Sequence, residues 1–385
     1  MTEPTFALVP AAYNTGSLYS VYPLAGGGDW TFIRTSEATR VNKAGLVEIV
    51  TDDIARLDYS NGDCPELLLE RASTNLITYS EDLTQWSKFS SGGTTPIVTA
   101  NQSISPDGTL TADKIEFFND GVAIVTINGT VDPLEEHSLS IWMKGEVGGE
   151  IIEIHCKNIS SQGLGSQAYT LTTEWARYKL EGITPLQASA GLQLRNTSTN
   201  TAKTFYAWGG QLEEAIVTTS YIPVVASTAT RSIDRLTDLT TIDVSSDDFT
   251  LFFDIDLTDL AVGFGSLSIN DGDDATHLRI TNNTSTGGLS ISNRVLSTVE
   301  NSYLMPYSTY GYKVKVGIVS TNSGMDIYIN GGLASSLTSG VIDMSTMTNI
   351  GFTDGQGDNF LGRLKDFRYY DTKLSSTELT ILTKQ

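Results

Sequence analysis

Carboxylates, aromatic rings and short acidic loops are the residues of this chain whose types and spacing could do chemistry. The stretch DIDLTD (254–259) carries Asp254, Asp256 and Asp259. Retaining hydrolysis of a glycosidic bond needs two carboxyls about 5–5.5 Å apart on one cleft. This strand is expected to open its domain instead of lying mid-sheet, which counts against catalysis. His137, His155 and His277 are widely spaced, and none stands next to a plausible nucleophile. There is no phosphate-binding glycine loop and no dinucleotide fingerprint. The expectation is a protein that is not an enzyme.

Saccharide binding needs flat aromatic faces for the apolar side of a pyranose, with Asn, Asp, Gln or Arg for its hydroxyls. Trp142 and Trp208 sit inside alternating stretches and Trp175 follows a turn into one, so these three read as core. Trp30, after GGGD, and Trp86, in a polar rim, are the better candidates for exposed rings, with a packing role the equal alternative for each. NSYLMPYSTYGY (301–312) gathers four tyrosines near one proline. Tyr303 and Tyr307 are its platform candidates, and an oligomer contact is the other reading of that stretch.

Metal chemistry has weaker support. INDGDDATH (269–277) clusters Asp271, Asp273 and Asp274 around Gly272, like the start of a calcium loop. The twelfth position, where such a loop needs a bidentate Glu, is Asn282, so a solvated acidic turn is the better reading. TDGQGDN (353–359) offers Asp354, Asp358 and Asn359.

These residues must be positioned by strands. Stretches such as HSLSIWMKG (137–145), GEIIEIHCK (149–157), FTLFFDIDL (249–257) and GYKVKVGIVS (311–320) alternate or carry β-branched and aromatic residues, and turn residues bound them. INGG (329–332) and FNDG (118–121) are tight-turn signals. The persuasive helix is the tail, with Ser375 or Ser376 as N-cap and Glu378 in the first turn. Breaks near 60–75 and 223–240 divide the chain into an arm and hairpin (1–70), a sandwich (71–225), a linker (226–240) and a second sandwich (241–385). SEATR (36–40) and STATR (227–231) echo each other, and each Arg with a nearby Asp could pin a connector.

Composition excludes several classes. The chain has 385 residues, 39% of them hydrophobic, enough for real cores. Lys and Arg number 24 against 45 Asp and Glu, a formal net charge of −21, which repels phosphate backbones. No apolar run approaches the ~20 residues of a membrane helix. The start, MTEPTFALVPAAYNTG, has neither the basic opening nor the apolar core of a secretory signal. Two cysteines, Cys64 and Cys156, read as free, buried thiols.

Residues 31–89, from TFIRTSEATR to YSEDLTQWSKF, resemble a segment that recurs in tailed-phage virion proteins. SPDGTLTADKI (105–115), SLSIWMKG, LTTEWARYKL and FYAWGGQLEE…TSYIPV resemble a carbohydrate-binding-module type of β-sandwich, over roughly 30–235. The tail GFTDGQGDNFLGRLKDFRYYDTKLSSTELTILT (351–383) resembles the closing strands of a concanavalin A-like, laminin-G-type jelly roll. DIDLTD likewise resembles the Glu-x-Asp-x-x-Glu strand of concanavalin-like glucanases, with both glutamates replaced by shorter aspartates.

The resemblance implies an all-β protein, with two β-sandwich (jelly-roll) domains in series behind an extended N-terminal arm. Leu67, Leu68 and Leu69 would form a strand between the arm and the first sandwich. The implied function is non-enzymatic: a virion surface protein, of tail-fibre or head-fibre type, attaching to host or environmental glycans. Capsid decoration without a ligand, or a capsule depolymerase, are the alternatives. Implied partners are other virion proteins through residues 1–70, cell-surface or environmental glycans, and further copies of the chain, a trimer first, with no nucleic acid and no membrane. Assembly in bacterial cytoplasm and release by lysis would place it in the virion. No cofactor is required. A structural calcium could be held by Glu81 or Asp113, or by Asp271 and Asp273, and rim loops carrying Asp354 and Asn359 could hold sugar.

Overall fold

The computed structural model describes residues 2–24, 27–118, 122–158, 163–196, 201–258, 264–272, 276–283, 287–295, 298–322, 324–338, 344–353 and 359–385. They are almost wholly β, in antiparallel sheets. The chain forms two compact units. One comprises Met1–Ser36, Val50–Arg71 and Ile233–Gln385, the other Glu37–Ile49 and Ala72–Ser232.

The first unit is a sandwich of two sheets. One runs in the order Gly332–Leu337, Gly324–Ile329, Lys313–Thr321, Thr250–Asp256, Gly362–Tyr370, Glu66–Leu69, Leu57–Asp58. The other runs Thr298–Pro306, Gly288–Val295, His277–Asn283, Phe264–Asn270, Asn349–Gly351. Alternate residues such as Leu251, Phe253 and Ile255 meet Leu267, Ile269, Leu278 and Ile291 in one core. The expected hairpin turn forms at Asn330 and Gly331, with φ of 50° and 90°. The tail helix, Ser376–Leu382, is capped by Ser375 in a reciprocal box with Glu378.

The expected arm is not a separate element. Phe6–Leu8 pairs with Gly362–Tyr370, Phe6 opposite Tyr369, and Trp30–Ile33 pairs with Arg235–Leu236. Leu67, Leu68 and Leu69 are buried, but their strand pairs with Gly362–Leu364 of the C-terminal sandwich, not with the first sandwich of the chain. Phe6, Leu8, Trp30, Phe32, Leu57, Leu67 and Leu69 belong to the same core as the C-terminal strands. The physical reason is apolar content: these residues complete a core whose members from Leu236 onward lie more than 160 positions further along the chain.

A buried charge cluster ties these segments together. Asp234 accepts from Arg34 Nη1 at 3.1 Å, from Arg56 Nη2 and from the Glu70 N–H at 2.8 Å. Arg56 also reaches Glu70 at 2.6 Å. Arg34, Arg56 and Asp234 are fully buried. The echoed arginines do other work: Arg40 pairs with Glu48, and Arg231 donates to Thr219 and Ser220.

The second unit is a sandwich of two five-stranded sheets. One runs Ile97–Ser103, Ala112–Phe117, Lys203–Glu213, His137–Gly145, Ala176–Ile183. The other runs Ser87–Ser91, Val122–Gly129, Ala190–Arg195, Ile151–Lys157, Gly163–Thr170. Ile115, Leu139, Ile141 and Phe205 face Val125, Ile152, Ile154 and Leu194 across the core. Cys156 lies in that core and burial pushes its thiol up to about 12, whereas Cys64 is exposed, contrary to the expectation of two buried thiols. Among the described residues no helix is long and apolar enough to cross a membrane.

Candidate functional site

The second unit contains a pocket of about 550 Å³, lined by Tyr79, Glu81, Asp82, Thr84, Asn101, Thr111 and Asp113 with an apolar wall of Ile49, Pro223, Val224 and Val225. Asp82 caps the short turn Leu83–Gln85, accepting from Thr84 N at 3.1 Å. That turn aims the Leu83 N–H at Asp113 Oδ2 (2.7 Å), while the Asn101 N–H donates to Oδ1 (3.0 Å). Burial raises the Asp113 pKa to about 6, and Asp82 adds to it against the pull of the backbone donors. Glu81 is also raised, chiefly by burial, although the Tyr221 hydroxyl donates to it at 3.0 Å. Tyr79 and Asn101 both hold left-handed backbone, with φ of 51° and 59°. For a tyrosine that conformation costs about 1 kcal/mol or more, so the surrounding contacts must impose it.

Trp86 is one of those contacts, and it corrects an expectation. Its ring is 1% exposed, not on the rim. Its Nε1 donates to the Tyr79 carbonyl at 3.0 Å, and its ring lies against Gly210, where an added Cβ would come within 2.8 Å. Trp30 is likewise 1% exposed, edge-on to Phe352 at 4.9 Å and near Phe6 at 6.1 Å. Of the three rings expected in the core, Trp208 is buried, whereas Trp142 and Trp175 are half-buried.

The pocket brings together Glu81 and Asp113, the pair named for a structural calcium. Calcium takes about 6–8 oxygen ligands. Each Asp113 oxygen accepts from a backbone N–H, and Glu81 accepts from the Tyr221 hydroxyl. Among the described residues no three His, Cys, Asp or Glu side chains converge to hold a metal. The Asp271 N–H donates to the Thr276 carbonyl at 3.2 Å. Asp273 and Asp354 lie outside the described residues, as do Asp259, Asp274, Asp358 and part of the turn at 118–121.

In the first unit Tyr303, Tyr307 and Tyr310 pack partly buried against the core. Burial raises the Tyr303 pKa to about 12, with Tyr310 adding to it. Tyr307 donates to Asn282 and stacks on Tyr312 at 4.5 Å, so the exposed ring of this group is Tyr312. Asn359 is buried and not a rim residue. The strand of Asp254 and Asp256 does lie mid-sheet, between Lys313–Thr321 and Gly362–Tyr370, contrary to expectation. There each carboxylate has a cation: Asp256 with Lys313 at 2.8 Å, Asp254 with Lys315 at 3.8 Å.

Sequence reasoning missed a second surface of the second unit. On the sheet that includes Ile151–Lys157, one face carries three rows of side chains. Register sets Phe89, Ile124, Arg195 and Glu153 in one row, and Thr126, Gln193 and His155 in the next. Asn128, Gly191 and Lys157 make the third. The alternate residues Val125, Leu192, Leu194, Ile154 and Cys156 point into the core. Phe89 and Lys157 stand three strands apart, about 14 Å at the usual strand spacing, and in different rows. Nevertheless Lys157 Nζ lies 5.4 Å from the Phe89 centroid. Sheet twist raises the two corners of that diagonal and leaves the face concave between them, which lets the side chains meet.

Beneath the diagonal lie Thr126, 5% exposed, and Gln193, 1% exposed. Gln193 Oε1 lies 3.1 Å from His155 Nδ1. Gln193 Nε2 and Thr126 Oγ1 have no hydrogen-bond partner. A buried polar group left unpaired costs about 1–3 kcal/mol, so such pairs in a trough are either strained or meant for a ligand. The signal available in the sequence was polar alternation, which reads as a solvated face until register stacks the rows.

No protein-family model matches the chain, and no curated protein is significantly similar to it. Solved structures are similar over part of it. A family 61 carbohydrate-binding module, TmCBM61, solved with β-1,4-galactotriose, is 13% identical with a TM-score of 0.29 over 36% of this chain and 97% of its own. The family 11 module of Clostridium thermocellum is 12% identical with a TM-score of 0.29, over 41% of this chain and 99% of its own. The enzymatically active domain of bacteriophage CBA120 tailspike protein 4 is 14% identical with a TM-score of 0.30 over 36% of this chain. The chain spans about a fifth of that domain's length (21%).

Proposed function

We propose that the unit formed by residues 37–49 and 72–232 is a saccharide-binding module and that the trough over Thr126 and Gln193 is its contact surface. The observation that carries this reading is the pair of buried polar groups without partners, Gln193 Nε2 and Thr126 Oγ1. Sugar hydroxyls donate and accept, so one pyranose can satisfy both. Phe89, 38% exposed at the edge of the face, offers a ring for its apolar side. The pocket of Glu81 and Asp113 is a second recess for a hydroxylated group.

On this reading the protein binds and does not cleave. It serves as a surface protein of a tailed-phage particle, a placement supported by the resemblance of residues 31–89. Weak sites repeated on an oligomer, with a trimer as first choice, gain strength through avidity. The test is an array of neutral and acidic glycans probed with the whole chain and with Gln193→Ala. Binding that Gln193→Ala abolishes, with undiminished thermal stability, supports the module. Binding unaffected by that change refutes the trough. Cryo-electron microscopy of particles checks placement: ordered density across the capsid lattice without glycan affinity would favour decoration instead. Release of reducing ends from a bound polysaccharide would overturn the non-enzymatic reading.

A further inference from the structure

We infer that the trough selects saccharides bearing carboxylate groups, an inference that rests on the saccharide reading of the same face. Charge is the first ground. The chain has 24 basic residues against 45 acidic ones. Across the trough the balance reverses, with Lys157 and Arg195 facing one carboxylate, Glu153. His155 adds no charge near neutral pH, because burial and then Arg195 press its pKa down.

Donor chemistry is the second ground. Glu153 Oε2 lies 3.9 Å from Arg195 Nη1, beyond hydrogen-bond reach, so it does not close the guanidinium fork. Gln193 Nε2, on the floor beside Arg195, has no hydrogen-bond partner. An ionised carboxylate only accepts, and a planar guanidinium offers it two parallel N–H groups. Arg195 and Gln193 are two positions apart on the same strand and face, a spacing of about 7 Å. That suits a carboxylate at Arg195 with a ring hydroxyl at Gln193. Lys157 rests on the Phe89 ring and can turn its amine to the same anion, freeing the ring for the sugar face. The overall charge of −21 does not forbid this, since repulsion between exposed charges is screened beyond about 8 Å at physiological ionic strength.

The experiment is calorimetric titration of the whole chain with trimers of galacturonate and of galactose, preceded by an array of alginate, hyaluronate, polygalacturonate and polysialate against dextran, galactan and mannan. Variants are Arg195→Gln, Lys157→Gln and Gln193→Ala, with Lys179→Gln, on the other sheet, as the charge control. The expected result is acidic polymers bound at least tenfold more tightly than neutral ones, a preference lost in Arg195→Gln and reduced by salt, and unchanged in Lys179→Gln. Gln193→Ala should weaken both classes. Equal or tighter binding of neutral sugars, still sensitive to Gln193→Ala, would overturn the acidic preference and leave the module standing. Binding to nothing on the array, or binding indifferent to every trough variant, would overturn both.

Discussion

Removing the Asp234 carboxylate should destabilise the first unit more than any other single truncation of a polar side chain there. Asp234→Ala takes one acceptor from each of two fully buried guanidiniums and from the Glu70 N–H. Neither arginine is stranded altogether. Arg56 keeps Glu70, and Arg34 keeps the carbonyls of Ser36, Ile54 and Thr51 at 2.8, 3.0 and 2.6 Å. Breaking a buried ion pair by deleting one partner costs about 3–5 kcal/mol, and the surviving contacts argue for the lower half of that range, about 3–4. With a urea m-value near 3 kcal/mol/M, at the upper end for small proteins, the midpoint falls by about 1 M. The assay is pulsed hydrogen exchange against urea, read by mass spectrometry on peptides from Thr250–Asp256. The apolar replacement Arg34→Met, Arg56→Met, Asp234→Leu should recover much of the loss, because it removes buried charge instead of orphaning it. A midpoint shift below about 0.3 M for Asp234→Ala would refute the reasoning, as that is under a third of what an orphaned buried charge requires.

Gly210→Ala should cost about 1–3 kcal/mol, since its Cβ would sit 2.8 Å from the buried Trp86 ring; thermal unfolding of the second unit measures it. Asp113 should contribute a negative slope of stability with pH. Its folded pKa near 6 lies above the ordinary 3.8, so between those values the folded state binds the extra proton and stability falls as pH rises. Carbon-detected NMR titration of the Asp113 carboxyl should give a midpoint near 6, and a midpoint below 4 would contradict the burial that raises it. Asp254→Asn and Asp256→Asn should leave saccharide binding unchanged and release no sugar from any polymer that the protein retains.

The strands were legible because their chemistry is local. Alternation in HSLSIWMKG and FTLFFDIDL survives into His137–Gly145 and Thr250–Asp256, and the Ser375–Glu378 spacing forms its box. The misreadings share a cause: burial decided by partners far along the chain. Trp86 follows a polar stretch and looks like a rim residue, but Gly210, 124 positions on, supplies the bare backbone that seats it. The glycine pair inside FYAWGGQLE was the available hint, since glycine within a strand often marks a close approach. Phe6–Leu8 offered no such hint, because three residues of strand do not reveal a partner at Phe367–Tyr369.

The trough shows why polar alternation on a sheet is ambiguous. Glu153, His155 and Lys157 alternate with Ile152, Ile154 and Cys156, the pattern of any half-solvated strand. A flat solvated face would leave mid-sheet Gln193 to water and its amide satisfied there. Here the neighbouring strands place Thr126 and His155 on either side of it, and the Phe89–Lys157 contact crosses above. The amide is thereby taken out of solvent with its oxygen held by His155 and its nitrogen given no partner, which stability alone does not favour. A hydrophobic residue at 193 would fold the same sheet at lower cost. The glutamine is therefore better explained by something that comes to the trough than by the trough itself, and the stability of Gln193→Ala decides between the two. If the variant is as stable as the parent and loses its glycan, position 193 serves binding. If it is less stable, the amide has a structural task, and the saccharide reading loses the observation that carries it.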